Sequence, residues 1–217
     1  MLPKEVYDVA QKKGMSHFFH ANSLATSISL LKLNSLASRE HVENFGLAQT
    51  GQYTDDLDKS LGVWNDVFID TVDIHRRASR RNNYGPILFV FDSKVILSAS
   101  GVLVTKTNPS KWQITTPVEQ RYFTSIAELD AGWHAGNFDQ MITLQTPNGA
   151  IPFDGNFLSV IIDDPATGDA HSKDYTTAEE AISKLTNRTI TRRQCTSWCK
   201  CKENYQSSGI TSKMFSI

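Results

Sequence analysis

The run Ile87-Leu88-Phe89-Val90-Phe91 does most to narrow the folds open to this chain. It is continuously apolar between Pro86 and Asp92, too short to span a bilayer, and suited to a strand buried on both faces. Further strands are predicted over 64–72, 95–98, 102–106, 141–146 and 158–162, separated by turn formers at Ser100-Gly101, Pro147-Asn148-Gly149 and Asp154-Gly155-Asn156. Asn22 or Ser23 can cap a short amphipathic helix carrying Leu24, Ile28 and Leu31 and ending near Asn34, and a second helix begins at Ser38 with acids at Glu40 and Glu43. Residues 124–131 and 177–187 also read as helices, whereas the polar stretch 46–62 reads as a long loop. Strands outnumber helices and do not alternate with them. That order predicts an α+β fold rather than a doubly wound sheet.

A chain of 217 residues suits one domain, 1–217, whose last part, 171–217, is expected to be a basic helix and a cysteine-containing tail. No run approaches the roughly 18 to 20 apolar residues of a membrane span, and the charged N-terminal residues do not resemble a secretory signal. The expected compartment is the cytoplasm, with no membrane partner. A net charge of −1 hides two basic patches. Residues 75–81 hold Arg76, Arg77, Arg80 and Arg81 with no acid, and 171–217 hold eight Lys or Arg against four acids.

Several chemistries lose support at once. No Gly-x-Gly-x-x-Gly follows a strand, no phosphate-binding Gly-x-x-x-x-Gly-Lys-Ser/Thr occurs, and the histidines show no His-Glu-x-x-His spacing. Cys195, Cys199 and Cys201 offer three soft ligands where a structural zinc site needs four, so His171 or a neighbouring chain would have to complete one. The sequence therefore predicts reduced thiols packed with Trp198 and Tyr205, and no metal. In Phe18-Phe19-His20-Ala21-Asn22 a histidine emerges from an apolar strand just before a helix start. Such an imidazole is either satisfied by backbone or donates to a ligand hydroxyl or amide.

Taken in order, these segments resemble the DarT-like ADP-ribosyltransferases. The resemblance rests on His20 with Asn22, on Leu36-Ala37-Ser38-Arg39, on Asp73-Ile74-His75-Arg76-Arg77, and on Tyr84-Gly85-Pro86-Ile87-Leu88-Phe89, and it spans roughly 15–165. It implies an ADP-ribosyltransferase fold of two small packed β-sheets with flanking helices and an NAD cleft between them. On that resemblance His20 hydrogen-bonds the NAD, Asn22 holds its nicotinamide side, Arg39 lies near the pyrophosphate, and Arg77, or else Arg76, is the essential arginine. Guanidinium groups suit that task because they bind phosphate bidentately and can stabilise charge building on a base.

The family's catalytic glutamate is expected on the strand entry after 141–146, where this chain has Ala150. Either Gln145 or Glu128 serves instead, or this copy binds NAD and turns over poorly. The resemblance further implies a toxin that modifies a base of single-stranded DNA. Guanine is favoured over thymine because Asp92-Ser93-Lys94-Val95 stands where the thymine type carries Arg-Ser-Pro-Met. It also implies a monomer whose partner is an antitoxin of macrodomain or NADAR type. Arg80, Arg81, Trp133 and His134 are the expected nucleic-acid contacts, with Trp133 or Phe138 stacking on a base. Two other readings stay open: RNA or protein as the acceptor, and a non-catalytic nucleic-acid-binding domain working through its basic C-terminal segment.

Overall fold

In the computed structural model the described residues are 1–76, 82–165, 173–195, 199–203 and 210–217. The chain begins with helix α1 (Pro3–Lys12), in which Pro3 opens the first turn and Val6, Val9 and Ala10 are buried at helical spacing. Strand β1 (His17–Asn22) leads into α2 (Leu24–Lys32), β2 (Ser35–Ala37) and α3 (Arg39–Asn44). Both predicted caps form. Thr26 N donates to Ser23 Oγ, and His41 N donates to Ser38 Oγ. Helix α2 is not amphipathic as expected: its serines and threonine are buried along with its leucines. Their hydroxyls turn inward to backbone carbonyls, Ser27 to Ser23 and Ser29 to Ala48. It ends before Asn34, which sits at φ 50°.

The chain continues through α4 (Asp55–Ser60), β3 (Val67–Ile69), β4 (Ile87–Asp92), β5 (Gly101–Val104), α5 (Val118–Arg121), α6 (Ile126–Gly132), β6 (Ile142–Gln145), β7 (Ala150–Pro152) and β8 (Phe157–Asp164). It closes with α7 (Lys173–Ser183), β9 (Thr189–Gln194) and α8 (Lys200–Glu203). A four-stranded sheet has the order β1-β4-β8-β9, a three-stranded sheet the order β3-β6-β5, and β2 pairs with β7 alone. Among the described residues three sheets therefore stand, one of them the two-stranded pair, where two were expected. An isolated bridge between Phe19 and Asp70 links the two larger ones at the base of what proves to be a cleft.

Strand β4 behaves as its composition demands. All five apolar residues are buried, Phe89 meeting Phe153 and Phe157 on one face while Leu88 packs with Ala21 and Ile74 on the other. At roughly 25 cal/mol per Å² of apolar surface, each such side chain contributes about 2 to 3 kcal/mol. The expected strand over 95–98 is instead a 3₁₀ helix, Ser93–Ser98. Asp92 caps it by accepting from Lys94 N, and that local bond outweighs the β preference of Val95 and Ile96. The C-terminal part is not a helix with a tail, because β9 joins the main sheet parallel to β8.

Candidate functional site

Successive residues of a strand point to opposite faces, so Phe18, His20 and Asn22 share one side of β1. Phe18 is buried in the core, while His20 and Asn22 emerge into a cleft of about 920 Å³. Ala37, Ser38 and Arg39 line it from the turn between β2 and α3, and Val67, Phe68 and Asp70 line it from β3 and beyond. A second chamber of about 530 Å³ shares Asn22, Thr26, Gln52 and Tyr84 with the first. The site is thus elongated, with Asn22 at its waist.

The electrostatics of His20 follow from its neighbours. Its Nδ1 lies 2.8 Å from the Phe68 carbonyl oxygen. A carbonyl can only accept, so the proton sits on Nδ1 and Nε2 is left as an acceptor. The expectation that this imidazole donates to a ligand is corrected accordingly: it offers a lone pair to a ligand hydroxyl or amide. Burial lowers its pKa to about 4, against the pull of the Phe68 and Asn22 contacts, and the charge on Arg39 adds to the lowering. His20 is therefore neutral at physiological pH. Asn22, itself buried, carries an Nδ2 that completes no hydrogen bond among the described residues.

Arg39 opens α3 and forks onto Asp55, Nε to Oδ1 and Nη2 to Oδ2 both at 2.9 Å. It also reaches the Thr50 carbonyl at 3.0 Å and lies over the Trp64 ring, its guanidinium carbon 5.2 Å from the centroid. The stretch 46–62, expected to be a plain loop, contains α4 and folds over the cleft through that fork. Gln49 Nε2 donates back to the Arg39 carbonyl, and Thr50 N donates to Thr26 Oγ1.

Three carboxylates that the sequence did not single out line the same cleft: Asp58, Asp66 and Asp70. Burial raises the pKa of Asp58 to about 6, with the nearby charge of Asp55 adding to it. Burial also raises Asp66 to about 6, against a hydrogen bond from Gln145. Acids tuned toward neutrality in a cleft suit proton transfer. The available signal was the bracketing of the strand-prone Val67-Phe68-Ile69 by Asp66 and Asp70, which puts a carboxylate at each strand end.

Ala150 does not line the cleft, but it is the direct cross-strand partner of Ala37, which does. Opposed residues of an antiparallel pair present their side chains on one face, so a longer side chain at 150 would extend toward the cleft wall. Gly149 fixes this corner: its φ is +66°, its carbonyl accepts from Ser38 N at 2.7 Å, and a Cβ there would stand 2.4 Å from Ser38 Oγ. Of the alternatives to a glutamate at 150, Glu128 is on α6, bonded to Thr124 and paired with Lys106 away from the cleft lining. Gln145 stands beside Asp66.

The expected nucleic-acid contacts fare unevenly. Trp133 is fully buried in the core and cannot stack on a base, a correction that follows from its place at the end of α6 beneath the sheets. His134 is exposed, with its backbone N donating to Gln140 Oε1. Arg77, Arg80 and Arg81, and the side chain of Arg76, lie outside the described residues. Among the described residues lining the cleft, Arg39 is the one Lys or Arg. Within the basic C-terminal segment two arginines are turned to buried acids, Arg193 pairing with Asp163 at 2.6 Å and with Asp73, and Arg192 with Asp164 at 2.9 Å, whereas Lys173, Lys184 and Lys200 are exposed.

No protein-family model matches this chain, and no curated protein matches it in sequence. Solved structures do. DarT of Thermus sp. 2.9 in complex with ADP-ribosylated single-stranded DNA aligns over 83% of this chain and 95% of its own, with a TM-score of 0.51 at 9% identity. The same protein with NAD+ aligns over 82% and 96% at 10% identity with a TM-score of 0.46, and with carba-NAD+ over 85% and 97% at 10% with 0.46. The chain has a DarT-like fold.

Proposed function

We propose that this cleft binds NAD and that the chain transfers its ADP-ribose to a base of single-stranded DNA, guanine before thymine, releasing nicotinamide. One observation carries the reading: His20 and Asn22 on β1 and Arg39 at the start of α3, each matched to the family by order alone, line a single elongated cleft in a DarT-like fold. Thermus DarT has been solved with NAD+ and with ADP-ribosylated single-stranded DNA. Asn22 Nδ2 and His20 Nε2 offer one donor and one acceptor, the pair that a carboxamide and a ribose hydroxyl require. In the reaction the bond from ribose C1 to nicotinamide breaks, a base nitrogen bonds to C1, and the proton released from the base passes to a carboxylate. Asp66, which lines the cleft and has a raised pKa, is our candidate to receive it while Ala150 occupies the glutamate position. Positive charge for the diphosphate comes from Arg39 and, on this reading, from Arg76 or Arg77. The antitoxin partner would be a hydrolase that removes the modification, of macrodomain or NADAR type, and the chain acts as a cytoplasmic monomer.

Calorimetry with NAD tests the first half without requiring turnover. His20→Ala is expected to weaken binding by about 10-fold, the worth of one buried hydrogen bond. Absence of heat from the unaltered chain at millimolar NAD would overturn the assignment. The second half is tested by Ala150→Glu with NAD and oligonucleotides of each base. Gain of one ADP-ribose on a guanine-containing single strand is expected, and no addition to any base counts against DNA as the acceptor.

A further inference from the structure

We propose that His75, Cys195, Cys199 and Cys201 form a structural zinc site. It stands independently of any role for the cleft. Three sulfurs alone could not make one, but the fold delivers a fourth donor from more than a hundred residues away. His75 Nε2 lies 3.2 Å from Cys199 Sγ and 3.4 Å from Cys195 Sγ. The ligand atoms of His75, Cys199 and Cys201 all fall within 4.8 Å of one another. A tetrahedral zinc with its usual bond lengths sets nitrogen and sulfur roughly 3.6 Å apart and two sulfurs roughly 3.8 Å apart. His75, Cys199 and Cys201 thus cluster closely enough to share one ion, and the Cys195 sulfur, in contact with the same imidazole nitrogen, would have to move toward the other two to complete the set.

The surroundings match what such a site requires. All three cysteines are buried and unbridged, which gives the closed donor set of a structural rather than a catalytic metal. The other imidazole nitrogen, Nδ1, pairs with the carboxylate of Asp163, so Nε2 is turned toward the sulfurs. Asp163 is itself held by Arg193, which also binds Asp73 two residues before the histidine. A carboxylate behind a ligating histidine is the arrangement that orients such ligands and raises their basicity. Cys201 Sγ accepts the backbone N–H of Asn82 at 3.2 Å, which fixes the position of the sulfur. A donor set of three soft sulfurs and one imidazole selects zinc over the harder divalent ions.

The consequence lies in what the metal would tie together. His75 immediately precedes the arginine run and Asn82 immediately follows it, so both flanks of 76–81 are moored at one centre. Asn82 Nδ2 then donates to the Gly85 carbonyl, and Gly85 lies against the backbone of Asn22 at the cleft's waist. Metal binding would couple the position of the arginines to the cleft and to β9.

The full chain, purified from zinc-replete medium without chelator, should carry one zinc per chain by elemental analysis. Cobalt(II) exchanged into it should give the intense ligand-field and thiolate charge-transfer bands of a tetrahedral sulfur-rich site. Cys199→Ser and His75→Ala should each lose most of the bound metal, and a strong chelator should lower the midpoint of thermal unfolding of the unaltered chain by more than about 10 °C. Because metal content and chelator sensitivity are read on the unaltered chain, a variant that fails to fold does not obscure the result. An intact mass equal to the bare chain with a midpoint indifferent to zinc and chelator would overturn the proposal. So would iron in place of zinc, or a disulfide among the three cysteines in protein isolated from a reducing cytoplasm.

Discussion

His20 and Asp66 pull the stability of the chain in opposite directions with pH. The imidazole ionises near 6.5 in the unfolded chain and near 4 in the folded one, so the unfolded state takes up its proton first. Stability is lost as pH falls from about 6.5 to about 4, by on the order of 3 kcal/mol when complete. His20→Gln is expected to flatten that part of the acid limb, as read from urea midpoints at pH 7 and pH 4.5. Asp66 is the reverse, because its folded carboxyl ionises near 6 rather than 3.8. Its protonated form favours the folded chain below about pH 4, and that advantage disappears as pH rises through 6. Asp66→Asn should therefore stabilise the chain at pH 7 by at least about 1 kcal/mol and leave it unchanged near pH 3.5. The same substitution in the chain with Ala150 should lower ADP-ribose transfer to single-stranded DNA by 10-fold or more.

Between residues and the whole lie the segments that shape the cleft, and two substitutions separate packing from clamping. At Gly85 a Cβ would stand 2.1 Å from the Asn22 carbonyl, at a φ of +140°. Gly85→Ala is expected to cost more than about 3 kcal/mol by urea denaturation, whereas Gly155→Ala, with nothing within 4 Å, changes stability by less than about 1 kcal/mol. Asp55→Ala removes the fork that fastens α4 to Arg39. Faster amide exchange across 46–62 is expected, with global stability changed by under about 1 kcal/mol because the pair is partly exposed. Unchanged exchange there would mean that the fork does not hold the loop. The helix α4 inside that stretch escaped notice because its residues, Asp55-Asp56-Leu57-Asp58-Lys59-Ser60, have no apolar face of their own. Strand β9 escaped for a related reason: Thr189-Ile190-Thr191-Arg192-Arg193-Gln194 reads as a charged surface until Asp163 and Asp164 are set beside it.

At the scale of the molecule, the C-terminal residues are integral to the sheet. A chain ending at residue 188 would uncover the edge of β8 and strand two buried carboxylates, Asp163 and Asp164, without their arginines. Such a truncation is expected to be insoluble or unfolded by circular dichroism, and a soluble folded product would restore the view of 171–217 as a separable basic tail. Local pattern alone determined the central strand Ile87–Asp92, the caps at Ser23 and Ser38, and the order of segments that resembles DarT. Each of these depends on interactions among residues near in sequence, or on composition that burial must satisfy in any fold. Only the tertiary structure decided that the Phe68 carbonyl, 48 residues away, sets the tautomer of His20, that Trp133 is core, and that His75 meets cysteines 120 and 124 residues distant. Those contacts arise when distant segments close on one another, and periodicity along the chain carries no record of which segments those are.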